Sequence, residues 1–282
     1  MVGRSRRKKK SQLNATTPQW RYTVVVVLIC AIVLIPVAVT VVLSVRPQLE
    51  STSHSWVTWE NFTYIFSQTQ VLTWLRNSLE VTLSVVLVSV AVAAPAGYVL
   101  SRSRSKTVSG YALLLFVAQA LPVIVSAIPL FVLFAKVNLD DSLIGVAIVY
   151  VSSTMSVAIW MMAAYFDSIP IALEEAAWID GASIFGGFMK IVMRNSFPGL
   201  LSTGIFAYLL AWSDYLVAVV FLRSDTNFTL PIGLQTFFSS NETLWGYVMA
   251  VSVVVMVPPT IIFSVLHRYF SIGGIGGALA GR

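Results

Sequence analysis

Six runs with little or no charge divide this chain, and they constrain its fold more than any other feature. Tyr22 to Val45 gives 24 residues, 21 lie between Glu80 and Arg102, 29 between Lys106 and Lys136, and 25 between Asp141 and Asp167. From Asn195 to Leu222 the only charge is Asp214, and 24 residues lie between Glu242 and His267. Crossing a bilayer core takes about 20 apolar residues in a helix. The runs therefore predict an all-α membrane protein with six transmembrane helices, at about 22–45, 79–101, 109–135, 142–166, 198–222 and 243–267. No strand-type alternation competes, as a membrane barrel would require. Charged residues make up 11% of the chain, against roughly 25% in soluble domains, so a soluble globular fold is excluded.

Basic residues set the expected orientation. With a cytoplasmic N-terminus, 14 of the 18 Lys and Arg fall inside, and only Arg46, Arg76, Lys136 and Arg223 outside. The positive-inside rule thus places both termini in the cytoplasm. The tail 1–21 carries Arg4, Arg6, Arg7, Lys8, Lys9 and Lys10. Beside an apolar segment such a run marks a cytoplasmic membrane flank rather than a nucleic-acid arm. The first apolar run is long for a signal peptide and no small-residue cleavage site follows, so an uncleaved helix is expected. The six-helix domain spans 22–267, and a Gly-rich cytoplasmic tail covers 268–282. Pro36, Pro95, Pro122, Pro129 and Pro258-Pro259 are expected to kink helices without ending them. The aromatics between 46 and 78, including Trp56, Trp59 and Trp74, fit an interfacial belt or a docking surface for an external partner.

The chemistry-bearing groups are few. One cysteine, Cys30, excludes an intrachain disulfide and a Cys-based metal site. The two histidines have no metal-ligand spacing. No Gly-x-x-x-x-Gly-Lys-(Ser/Thr) occurs, so the chain has no P-loop. The glycines at 273, 274, 276 and 277 follow no strand and make no dinucleotide fingerprint.

The longest cytoplasmic connection, 167–199, is the most informative. Pro170 suits a first helical turn, Glu174 and Glu175 sit near the positive helix end, Gly181 suits a left-handed C′ position, and Ser183 can cap a second short helix. Asp167, Glu174, Glu175 and Asp180 outweigh Lys190 and Arg194 on an otherwise basic face. Membrane-surface helices favour Lys and Arg, so a partner-docking helix fits better.

Glu175-Ala176-Ala177-x-x-x-Gly181, with Ile191 following, resembles the EAA loop of ABC importer permeases. Asp180-Gly181-Ala182 narrows the resemblance to the carbohydrate-uptake branch, whose maltose-type second permeases the chain resembles along almost its whole length. Glu60-Asn61-Phe62, Arg76-Asn77-Ser78-Leu79, Gly97-Tyr98, Leu121-Pro122, Ile128-Pro129, Ile169-Pro170 and Ala211-Trp212-Ser213-Asp214-Tyr215 carry it. Two departures stand out. Ile191-Val192-Met193-Arg194 lacks the family's proline, and the tail ending at Arg282 lacks its lysine, so no lysine tail contact carries over.

The resemblance implies a type I ABC importer fold in a bacterial or archaeal plasma membrane. It implies no enzymatic activity in this chain, with ATP and Mg held by two separate ATPase subunits. Further implied partners are a second homologous permease in a heterodimer, an extracytoplasmic solute-binding protein and a small sugar. ATPase coupling would fall to Glu174, Glu175, Ala176, Ala177, Asp180 and Gly181. Trp212, Asp214 and Tyr215 are candidates for the pathway or for interhelix contacts. The alternatives are an ion-coupled secondary carrier, for which Asp214 and, at a helix edge, Glu80 are the candidate acids, and a permease for a non-sugar solute.

Overall fold

The computed structural model describes residues 19–48, 56–103, 105–120, 122–238 and 244–273. The basic run at 4–10, Arg104, Leu121 and the tail beyond Gly273 lie outside them. The described residues form helices and connecting turns, with no strand among them. In chain order the helices are α1 (Gln19–Ser44), α2 (Glu60–Ser67), α3 (Val71–Arg102), α4 (Lys106–Gln119), α5 (Val123–Ala135) and α6 (Leu143–Asp167). There follow α7 (Ala172–Ile179), α8 (Ile184–Gly187), a π turn (Phe188–Val192), α9 (Met193–Asn195) and α10 (Phe197–Ser213). The last helices described are α11 (Leu216–Phe221), α12 (Leu230–Gln235) and α13 (Trp245–Gly273).

Four of these are long and apolar enough to cross a membrane: Tyr22–Ser44, Val71–Arg102, Leu143–Asp167 and Trp245–His267. The third expected span is bent, with α4 and α5 meeting at 94°. Pro36, Pro95, Pro129, Pro258 and Pro259 lie inside continuing helices, whereas Pro122 stands just before α5 at the break. The fifth apolar run is also divided, since Asp214 adopts an extended backbone between α10 and α11.

The α3–α6 pair is the centre of the bundle and α10 packs on both. Close approach is possible because Gly97 has no side chain; a Cβ there would meet Met162 Cβ at 2.7 Å and the Ala163 backbone nitrogen at 2.9 Å. Small residues at helix crossings allow this in membranes, where interhelical hydrogen bonds add stability. Ser89 and Thr154 supply one such bond, 2.9 Å long and fully buried. Helix α1 is apolar and exposed on nearly every face, and its main packing partner among the described residues is α13.

At the end of α6 remote from α7, polar side chains hold the connections. Asn61 donates to the Ser44 and Arg46 carbonyls at 2.9 and 2.8 Å, closing the end of α1. Asn77 donates to the Thr226 and Phe228 carbonyls, and Ser78 accepts the Leu230 N–H at 2.7 Å. Trp74, expected in an aromatic belt or docking surface, is instead buried against Gly233, and its indole donates to the Asp225 carbonyl at 2.8 Å. Trp56 and Trp59 are exposed.

Asp141, with φ +51°, ties two loops at this end together. Its Oδ1 accepts the N–H groups of Arg223 and Ser224 at 2.8 and 3.0 Å, and Oδ2 accepts the Ser224 hydroxyl. Burial pushes this carboxyl up, but those donors and Asn227 outweigh it, so the net shift is downward. A depressed folded value means that the brace stabilises fully above the unfolded pKa of about 3.9 and fades as pH falls through the folded one. Thermal unfolding of the purified protein should therefore show an acid-side loss of stability that Asp141→Ala reduces. Identical acid profiles for the two proteins would remove the brace.

Candidate functional site

Two groups of predicted site residues lie at opposite ends of α10, a helix of 17 residues or about 25 Å. The first is the short helix α7. Its C-terminus is closed by a Schellman motif: the Ala182 N–H donates to the Ala177 carbonyl at 2.9 Å, and the Gly181 N–H to the Trp178 carbonyl at 3.0 Å. Gly181 has φ +88°, as its sequence position predicts. Ser183 then caps α8, its hydroxyl accepting the Gly186 N–H at 3.0 Å. Gly187 lets the two short helices touch, since a Cβ there would stand 2.9 Å from the Trp178 indole nitrogen. The second short helix is not one regular helix but runs on through the π turn to Asn195.

Glu175, Ala176, Asp180 and Gly181 are exposed and Ala177 is half-buried. Ile179, Ile184 and Phe185 stand beside them with 86%, 69% and 71% of their surface accessible. Exposed apolar side chains are thus gathered beside the carboxylates of Glu175 and Asp180.

Glu174 differs from the other five predicted coupling residues. Its side chain has no exposed surface. Arg102, at the end of α3, donates from Nε at 2.8 Å and ion-pairs through Nη2 at 2.7 Å, both to Oε1. Tyr98, one turn earlier on α3, donates its hydroxyl to Oε2 at 2.6 Å. The same guanidinium reaches the Ile169 carbonyl at 3.2 Å. Sequence reasoning missed Tyr98 and Arg102 as partners of this carboxylate. Their i, i+4 spacing puts both on one face of α3, but the acid they meet is over 70 residues away.

The second group surrounds the break in the fifth run. Asp214 Oδ1 accepts the Tyr150 hydroxyl at 2.7 Å, and the N–H groups of Val217 and Ala218 at 3.0 and 3.3 Å. The carboxylate thus satisfies orphan donors at the start of α11 and ties that helix to α6. Trp212 and Tyr215 turn another way. Trp212 is buried, stacks on Tyr208 with ring centroids 5.6 Å apart, and donates to the Val255 carbonyl at 3.2 Å. Both line an apolar cleft of 980 Å³ between α1, α10–α12 and α13, with Leu34, Val41 and Gln235.

Long apolar helices thus form a bundle that leaves the turn at Gly181 exposed, as in a multi-pass membrane protein. The chain belongs to the family described as binding-protein-dependent transport system inner membrane component, whose model matches residues 93–271, more than half of its length. It is 33% identical over 213 residues to the inner membrane ABC transporter permease protein YcjP of Escherichia coli, covering 74% of each chain. It is 30% identical over 271 residues to the arabinooligosaccharides transport system permease protein AraQ of Halalkalibacterium halodurans, covering 92% of this chain and 96% of that one. The maltodextrin transport system permease protein MdxG of Bacillus subtilis is 29% identical over 230 residues, with 81% and 82% covered. The fold matches a chain in the crystal structure of a bacterial ABC transporter involved in import of the acidic polysaccharide alginate. There the TM-score is 0.77 at 21% identity, with 89% of this chain and 96% of that one covered. Membership of this family sets aside the ion-coupled carrier.

Proposed function

We propose that this permease subunit carries an oligosaccharide or related sugar across the membrane, in an importer driven by ATP hydrolysis on separate ATPase subunits that hold ATP and Mg. The sugar class is supported by the relatives named for arabinooligosaccharides and maltodextrin. The observation that carries the coupling is the α7–α8 surface, where Glu175, Ala176, Asp180 and Gly181 lie exposed beside Ile179, Ile184 and Phe185. An ATPase subunit with a complementary cleft docks there. In this reading the chain has six spans, with α4–α5 as the third and α10–α11 as the fifth, and both termini in the cytoplasm. Helix α1, exposed on nearly all its faces, covers its apolar surface with lipid and with a second, homologous permease. The translocation pathway forms between the two permeases, and an extracytoplasmic binding protein delivers the sugar at the end away from α7.

The test is reconstitution. The tagged chain should co-purify with an ATPase and a second permease. Vesicles holding that complex and the binding protein should take up labelled maltodextrins or arabinooligosaccharides only when ATP is supplied. ATP-independent uptake by vesicles holding this chain alone would overturn the proposal.

A further inference from the structure

Docking explains the exposed side of α7 but not its inward side. Of the six predicted coupling residues, Glu174 alone presents no surface to a partner. A carboxylate without exposed surface is retained only where charge and hydrogen bonds compensate it, and here all of that compensation comes from this chain. Arg102 and Tyr98 grip both carboxylate oxygens. Arg102 also holds the Ile169 carbonyl in the turn leading into α7. The Arg102 side chain is itself only 16% exposed, so water screens the pair little and the contact is stiff.

Tyr98 joins more than two elements. Its ring packs edge-on against Phe166 of α6, centroids 6.1 Å apart, and tilted against Phe188 of the π turn at 4.7 Å. One residue earlier, Gly97 brings α3 into backbone contact with α6. Just beyond, the Ser101 hydroxyl donates to Asp167 at 2.5 Å. The end of α3 is therefore locked to α6 on one side and to α7 on the other.

We propose that Glu174 is a positioning residue: with Arg102 and Tyr98 it latches α7 to α3, so that a push on α7 moves the paired α3–α6 helices as one body. Without the latch, α7 is joined to the bundle by the 168–171 turn and by the contacts of its second short helix, and a push is absorbed there. The proposal rests on the reading of α7 as the ATPase contact.

The experiment uses the complete transporter and needs no sugar. Hydrogen–deuterium exchange is followed with and without Mg, ATP and vanadate, which trap the closed ATPase dimer. In the unmodified complex, exchange should change on trapping both in α7 and in residues 94–102 of α3. In the double variant Arg102→Met with Glu174→Leu, which replaces both charges by apolar side chains, the change in α7 should persist. The change in 94–102 should shrink about tenfold, within the usual range of coupling between sites. Tyr98→Phe keeps the ring contacts and removes one hydrogen bond, so the change should shrink about threefold; it decides the matter if the double variant does not assemble. A full response in 94–102 from assembled variants overturns the latch. So does an unmodified complex that responds in α7 alone. No change in α7 of the unmodified complex overturns the docking reading instead, and Glu175→Lys checks that independently, since it should release the ATPase on purification.

Discussion

Replacing Gly181 by valine should leave the protein in the membrane and lower ATP-driven import about tenfold, an effect of the size expected for lost coupling between sites. The cause is the backbone. A Cβ at Gly181 would meet nothing within 4 Å, but φ there is +88°. The left-handed region costs an L-residue roughly 1–2 kcal/mol, and a β-branched side chain tolerates it least. Valine relieves that strain by leaving the left-handed region. That breaks the two terminal hydrogen bonds of α7, to the carbonyls of Trp178 and Ala177, and re-aims Ser183 and α8. The exposed surface formed by both short helices then loses its shape while the bundle is untouched. Asparagine tolerates left-handed backbone and should act nearly as glycine does; alanine should fall between. Import rate and complex yield, measured together across the three variants, check this order. Equal import by the valine and glycine proteins would remove the turn from the coupling mechanism.

The long helices were legible in the sequence because a helix rises 1.5 Å per residue and a bilayer demands about 20 apolar residues. Runs 1, 2, 4 and 6 correspond to α1, α3, α6 and α13 within a few residues at most of their ends. Helix α3 starts at Val71, well before the expected 79, and carries Arg76 and Glu80, which pair one turn apart on its exposed face at 2.6 Å. Charge counting ends a run at such a pair, and a helix does not. The break at Asp214 was not legible. An uncharged run says nothing of where backbone donors go, and Asp214 lets the helix stop by accepting two of them itself. In the coupling segment, Gly181 and Ser183 were readable because their roles are local. The orientation of Glu174 was not, since it depends on Arg102 and Tyr98 brought from α3. The motif at Asn77-Ser78 was readable as a family mark but not as a brace, because its partners lie about 150 residues further on.

Asp214→Leu should reduce the yield of assembled complex several-fold, while Asp214→Asn should assemble and transport almost normally. A carboxylate in a span costs about 2.5–3.5 kcal/mol on insertion scales unless it is paired or faces water. Here one oxygen takes the Tyr150 hydroxyl and two N–H groups. Asparagine keeps an oxygen in that place and loses only the charge. Leucine removes the acceptor and strands three donors, one of them on a tyrosine that is 5% exposed. Each unsatisfied buried donor costs about 1–3 kcal/mol, so the loss is comparable to a small domain's whole stability margin of about 5–15 kcal/mol. Trp212 and Tyr215 line the cleft beside α1 while Asp214 points at α6, so a pathway role for the aromatics does not require one for the acid. Tyr150→Phe separates the contributions: it removes one of the three donors and should cost less yield than the leucine variant. Complex yield by size-exclusion chromatography and import by the same preparations provide the comparison. If Asp214→Leu assembles and transports like the unmodified protein, the junction between α10 and α11 does not depend on this carboxylate. If instead both Asp214 variants assemble fully but change the apparent affinity for sugar, Asp214 serves the pathway and not the junction.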